Sequence, residues 1–228
     1  MTTPESESSP PAKYVAMTDR LYDYITAHRT HLVDPLLDDL RSETESLGEA
    51  ARMLISREQG DFLTLIARLL NVRSAIEIGT FTGYSSICLA RGLAEGGHLT
   101  CFDINAEWTA IARRHWKEEG LADRIQLHLG DAQKLLPDWT PPEPLNLAFI
   151  DADKPGYDTY FELLLPKMKS NGLFIFDNMV WGGKVAEQPL TDPDGVAIDR
   201  LNHKLAHDPR VESVLLPIAD GLHLVRKR

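Results

Sequence analysis

Apolar residues along the chain change their spacing once. Up to residue 70 they recur at helical intervals. Tyr14, Met17, Leu21, Tyr22 and Ile25 mark a first helix. Leu32, Leu36, Leu37 and Leu40 mark a second, with Pro35 in its first turn, and Phe62, Leu63, Leu65, Ile66, Leu69 and Leu70 a third that ends near Asn71. From residue 73 short apolar runs take over, at 75–78, 99–102, 125–129, 145–150 and 173–176, with amphipathic stretches between them. That alternation predicts a parallel sheet covered by helices on both faces. The chain ends differently. Runs at 211–216 and 222–226 flank 217–221, which contains Asp220-Gly221, and predict an antiparallel hairpin closing the sheet.

No repeat or linker divides residues 13–228, so one domain is expected, with a helical segment over 13–70 and a sheet core over 73–228. Residues 1–12 are rich in Ser, Pro, Glu and Thr and are expected to form a disordered tail. They lack the basic start and apolar stretch of a signal peptide. Among 228 residues there are 34 acids and 24 bases, a net charge of −10. That balance argues against broad contact with nucleic acid or an anionic membrane surface, both of which need a basic face. No apolar run reaches the ~18 residues of a membrane helix. Two cysteines, Cys88 and Cys101, cannot build a disulfide framework and read as small core residues. A reducing, cytoplasmic compartment follows.

Acids fall in register with the runs. Glu77 lies near the end of the first, and Asp103, Asp131, Asp151 and Asp177 follow the next four. Ligands of open α/β sheets bind outside the carboxyl ends of the strands; an acid there can also simply cap the next helix. The first such loop runs from Glu77 through Gly79 and Gly83 to Ser85. Its Gly79-x-x-x-Gly83 spacing is not the dinucleotide fingerprint Gly-x-Gly-x-x-Gly. Ser85 at the start of a helix suits an anion. Asp103, 20 residues after Gly83, can accept ribose hydroxyls. Together they indicate a nucleoside-bearing cofactor with no pyrophosphate. A second group, Asp151-Ala-Asp153-Lys154 with Asp177-Asn178, offers hard oxygens that suit Mg²⁺, Mn²⁺ or Ca²⁺. Read blandly, the same residues are a turn and a solvated ion pair. His203 and His207 lie four apart but lack the Glu of His-Glu-x-x-His, and His28 and His31 read as surface or capping residues. Trp108 and Trp116 are expected to cover the sheet.

Four ordered motifs carry a resemblance: Met53-Leu-Ile-Ser-Arg-Glu-Gln-Gly60-Asp-Phe-Leu, Glu77-Ile-Gly-Thr-Phe-Thr-Gly-Tyr-Ser85, Phe149-Ile-Asp-Ala-Asp-Lys154 and Phe176-Asp-Asn-Met-Val-Trp181. From about residue 13 the chain resembles the cation-dependent O-methyltransferases, the caffeoyl-CoA and catechol O-methyltransferase-like family. The resemblance implies a class I methyltransferase (Rossmann-like) fold with a seven-stranded, mostly parallel sheet, S-adenosylmethionine as methyl donor, a divalent cation, a phenolic small-molecule acceptor and a homodimer. By position it implies that Met53, Ile55, Glu77, Gly79, Ser85, Asp103, Ala132 and Asp151 bind the cofactor. Asp151, Asp177 and Asn178 would ligate the metal, Lys154 would be the general base, and Lys13 and Trp181 would contact the acceptor. Residues 182–197 say little about which acceptor. A phenol ionises near pH ~10, so a cation binding two adjacent oxygens would lower that value and orient the ring. A nicotinamide oxidoreductase on a similar sheet, disfavoured by the missing fingerprint, and a catalytically silent binding module are the alternatives.

Overall fold

The computed structural model describes residues 15–30 and 33–228. The expected tail over 1–12 lies outside the described residues, as do Lys13, Tyr14, His31 and Leu32. Every apolar run of the second half is a strand: β1 (Ser74–Ile78), β2 (His98–Asp103), β3 (Ile125–Leu129), β4 (Leu145–Ile150), β5 (Met168–Phe176), β6 (Val211–Leu216) and β7 (Leu222–Lys227). Their order in the sheet is β3-β2-β1-β4-β5-β7-β6, parallel except for β7, which runs antiparallel to both β5 and β6. The direction of winding reverses between β1 and β4, the place where such sheets open a crevice. β5 starts five residues before the run at 173–176, because its polar first half pairs with β4 through a register shift between Leu145 and Leu147.

The first stretch, taken by itself, carries α1 (Asp19–Ala27), capped by Thr18 and ended at His28, whose ring stacks on Tyr24. The second unit spans Val33–Arg228. Its helices are α2 (Pro35–Glu45), α3 (Arg57–Leu69), α4 (Tyr84–Gly92), α5 (Ala106–Glu118), the short α6 (Ala132–Leu135), α7 (Tyr157–Leu164) and α8 (Pro193–His207). α3 begins earlier than its apolar stripe, since Ser56 accepts the Gln59 N–H and sets the first turn. No described helix is long and apolar enough to cross a membrane.

Alternate residues of each central strand enter two separate apolar layers. Ala75, Leu147, Phe149 and Ile175 pack with α2, α3, α4 and Trp116, while Ile76, Ala148, Phe174 and Phe176 pack with α7 and α8. Trp116 is buried and donates to Ser86 Oγ at 2.8 Å, as expected for a residue covering the sheet. Trp108 is only half-buried and meets Phe81 edge-on. Cys88 and Cys101 are free and buried. His203 and His207 bond backbone carbonyls one turn back.

Candidate active site

The strand ends form a staircase. Gly79 N–H donates to Phe102, Gly130 to Asp103, Asp151 to Ile78 and Asp177 to Ile150, so the ladder continues one residue past the strands. This lines up Glu77, Gly79, Asp103, Asp151 and Asp177 along one edge of the sheet. Asp131 departs from the pattern: it caps α6 through the Gln133 N–H and pairs with exposed Lys134, the capping role open to any strand-end acid.

Around β1, Glu77 takes a position whose strand neighbours are apolar, and it is fully buried. Burial pushes its carboxyl up to about 7, the Asp103 charge adds to this, and Ser85, Cys101 and Thr80 pull the other way. Ser85 stands beside Glu77 in the first turn of α4. Glu77 Oε1 and Thr80 Oγ1 have no hydrogen-bond partner. Two orphaned oxygens beside a glycine loop suit a ligand that brings its own donors. Asp103 accepts the Thr80 and Phe81 N–H groups on Oδ2 and the Asn105 N–H on Oδ1, each at 2.8 Å. A carboxylate has about four acceptor positions, so one remains for a ribose hydroxyl. Gly79 is at φ +90, and a Cβ there would stand 1.9 Å from the Asp151 carbonyl oxygen. The close approach that demands glycine is between β1 and β4 themselves. Ala132 is buried at the head of α6. Ile55 is buried in the first apolar layer and Met53 is 43% exposed; neither joins the Glu77–Asp103 hydrogen bonds.

At the ends of β4 and β5 the structure gathers the second group. Lys154, 8% exposed, donates to Asp151 Oδ1 at 3.0 Å, Asn178 Oδ1 at 2.7 Å and Tyr157 Oη at 2.6 Å. An ammonium has three donors, and all three are used. Tyr157 in turn donates to the Asp177 carbonyl at 3.2 Å. Asp177 is buried, and burial pushes it up to about 7; the Asp151 charge adds to the rise, while Gln59, the Asn178 N–H and Lys154 oppose it. Among the described residues, Lys154 is the cation set between two close carboxylates and an amide oxygen. No cluster of three or more His, Cys, Asp or Glu suited to a metal occurs among the described residues. The set here is two carboxylates and an amide, all hard oxygens short of positive charge, and it fits a divalent cation. Trp181 completes the group: it is half-buried, and Lys154 Nζ lies 5.8 Å from its ring centroid.

Two residues of this site were not legible as chemistry. Tyr157 reads as an ordinary apolar position of α7, although its place three residues after Lys154 was a cue. Gln59, 1% exposed and beside Asp177, lies inside the first motif, where only Met53 and Ile55 drew attention.

A family model described as O-methyltransferase matches residues 27–228. The chain is 33% identical to caffeoyl-CoA O-methyltransferase 2 of Eucalyptus globulus, covering 99% of this chain and 96% of that one. It is 31% identical to catechol O-methyltransferase of Niastella koreensis, covering 91% and 98%. Among solved structures it superposes on the O-methyltransferase from Bacillus cereus in complex with SAH with a TM-score of 0.83 at 29% identity, over 92% of this chain and 97% of that one. The match runs over nearly the whole chain, and the chain belongs to the O-methyltransferase family.

Proposed function

We propose that this enzyme transfers a methyl group from S-adenosylmethionine to one oxygen of a vicinal diphenol, a catechol-like small molecule, with a divalent cation as cofactor: Mg²⁺, or Mn²⁺ or Ca²⁺ in its place. The observation that carries this is the Lys154 ammonium held on Asp151, Asn178 and Tyr157 at the ends of β4 and β5. Family membership sets the oxidoreductase alternative aside. The Bacillus cereus relative was solved with SAH and the Streptomyces achromogenes O-methyltransferase TomG with SAM, which supports the donor.

When bound, S-adenosylmethionine supplies an electrophilic methyl group and the cation withdraws charge from the phenolic oxygens. The chain does the rest. Glu77 and Asp103 hold the polar parts of the donor, with Met53, Ile55, Gly79, Ser85, Ala132 and Asp151 around it. Asp151, Asp177 and Asn178 would hold the cation. Lys154 is placed to hold a proton at Nζ and, once deprotonated, to take one from the acceptor. Trp181 is a wall for the acceptor ring. Holding both reactants in line can itself remove roughly 7–11 kcal/mol of barrier. We further propose that the enzyme works in the cytoplasm as a homodimer. An apolar groove lined by Ile66, Leu70, Leu173, Val214 and Leu224, with Leu65, Leu69 and Leu215 exposed on the same elements, supports pairing. Light scattering should give twice the chain mass; the chain mass alone would dismiss the dimer.

The test starts with calorimetric titration of S-adenosylmethionine. It continues with methyl transfer to catechol and to phenol, after exhaustive chelation and after return of Mg²⁺, Mn²⁺ or Ca²⁺. Turnover is expected only with metal, and phenol, offering one ligand, should react at least ~100-fold more slowly. Full turnover without metal, or equal rates on both acceptors, would overturn the chelation mechanism.

A further inference from the structure

Asp192 has no role in the site as described above, yet it reaches into it. It ends the loop that follows Trp181 and caps α8. Its Oδ1 accepts the Trp181 indole N–H at 2.8 Å and the Gly195 backbone N–H at 2.9 Å, and its Oδ2 accepts the Lys184 ammonium at 2.8 Å. Lys184 first, then the Gly195 amide and the indole, hold its carboxyl near 2, so it is an ionised acceptor throughout the neutral range.

Trp181 sits in a turn of uncommon backbone conformation. Its backbone is left-handed at φ +51, and Gly182 and Gly183 continue so at +61 and +88. A bulky residue seldom adopts that conformation. Asp220 fastens the turn, accepting the Gly182 N–H at 2.6 Å, and the ring packs against the second apolar layer, a contact that leaves its polar edge to be held separately. The indole has a single polar donor, and Asp192 takes it. Gly195 lies beside the ring: a Cβ there would stand 3.4 Å from Trp181 Cδ1, an ordinary contact, and 3.1 Å from Leu190. So held, the ring stands with its centroid 5.8 Å from Lys154 Nζ.

The geometry points to Asp192 as a positioning residue of the acceptor site: through the indole N–H it sets the plane of the Trp181 ring opposite Lys154, and thereby which acceptor rings fit. The inference rests on the acceptor-wall role proposed for Trp181. Capping and positioning are separable, because Asn and Ser both cap helices as well as Asp does. Asn also carries an oxygen where Asp carries Oδ1, while the Ser hydroxyl ends closer to the backbone and falls short of the indole.

The experiment compares wild type, Asp192→Asn, Asp192→Ser, Trp181→Phe, Trp181→Ala and the Asp192→Ser/Trp181→Phe double variant. Catechol is the acceptor, at saturating S-adenosylmethionine and Mg²⁺. Asp192→Ser and Trp181→Phe should each raise KM for catechol about tenfold, with kcat changed less than about threefold, the loss of one hydrogen bond. The double variant should be no worse than either single one, since both remove the same bond. Asp192→Asn should stay within about twofold of wild type. The indole ¹⁵N–¹H resonance missing in Trp181→Phe should shift in Asp192→Ser and hold in Asp192→Asn. An unmoved resonance, or effects that multiply in the double variant, would reduce Asp192 to a helix cap. So would an unchanged KM in Asp192→Ser while Trp181→Ala raises it. If Trp181→Ala leaves KM unchanged, the ring is no acceptor wall and both ideas fall; absence of catechol turnover in all the proteins removes the acceptor class itself, and this inference with it.

Discussion

At the scale of single residues, one ammonium organises the site. Lys154 spends its three donors on Asp151, Asn178 and Tyr157 and is nearly buried among them. A methionine of similar length would fill the space but take the ammonium away from Asp151 and Asn178 and leave Tyr157 Oη with its bond to the Asp177 carbonyl alone. For Lys154→Met we expect kcat to fall by about 10²–10⁴-fold, the usual worth of a positioned proton acceptor. KM for the acceptor should change less than kcat, as for a group acting chiefly in the transition state. Steady-state kinetics on catechol at saturating donor and metal decide this. An unchanged kcat from pH 6 to 9 would remove Lys154 from the base role. Lys154 was legible because its motif places it three residues after Asp151. Tyr157 and Gln59 were not, since a tyrosine or glutamine in a helical stripe looks like any other until its burial is known.

At the scale of elements, the loop after β1 is set by packing as much as by ligand chemistry. Gly79 and Gly120 both have positive φ, +90 and +72, but a Cβ on Gly79 would collide with the Asp151 carbonyl at 1.9 Å whereas one on Gly120 meets nothing within 4 Å. Gly120→Ala should therefore cost only the left-handed backbone penalty, ~1–2 kcal/mol. Gly79→Ala must also separate the ends of β1 and β4, and a loss above about 4 kcal/mol is expected. Urea unfolding of the two variants checks the contrast; equal losses would show that the β1–β4 approach yields easily. The positions of these glycines were plain in the sequence. Which of them a neighbouring strand constrains depends on the register Ile78↔Ile150, which no local pattern encodes.

At the scale of the whole molecule, His223 ties the antiparallel end of the sheet to α8. It lies on β7 opposite Phe176, is buried, and bonds Asn202 Oδ1 at 2.7 Å; Asn202 in turn donates to the Met179 carbonyl at 2.9 Å. Burial lowers its pKa from 6.5 to about 4. The unfolded chain thus binds a proton first as pH falls. Stability from this residue is fully present above about 6.5 and is lost as pH drops toward 4. Urea unfolding from pH 4.5 to 7 should show wild type gaining on His223→Gln as pH rises, by at most about 1.4 kcal/mol per pH unit. A pH-independent difference would mean that His223 takes up its proton as readily inside the fold as in the unfolded chain.

The sequence by itself determined the seven strands, their alternation with helices, the closing hairpin and the strand-end acids. Each of these follows from apolar periodicity over a few residues, which local chemistry dictates. Even the bounds of β3, β4 and β6 agree with the apolar runs. Only the tertiary structure decided the order β3-β2-β1-β4-β5-β7-β6, and with it the neighbours of each acid. It separated Asp131, a helix cap, from Asp151 and the buried Asp177, whose charges act on each other. It also brought Asp192 to Trp181 across eleven residues of chain. The physical reason is the same in each case. Burial and the charge of a neighbour give a carboxyl its role, and both are properties of the assembled sheet rather than of the residues beside it in the chain.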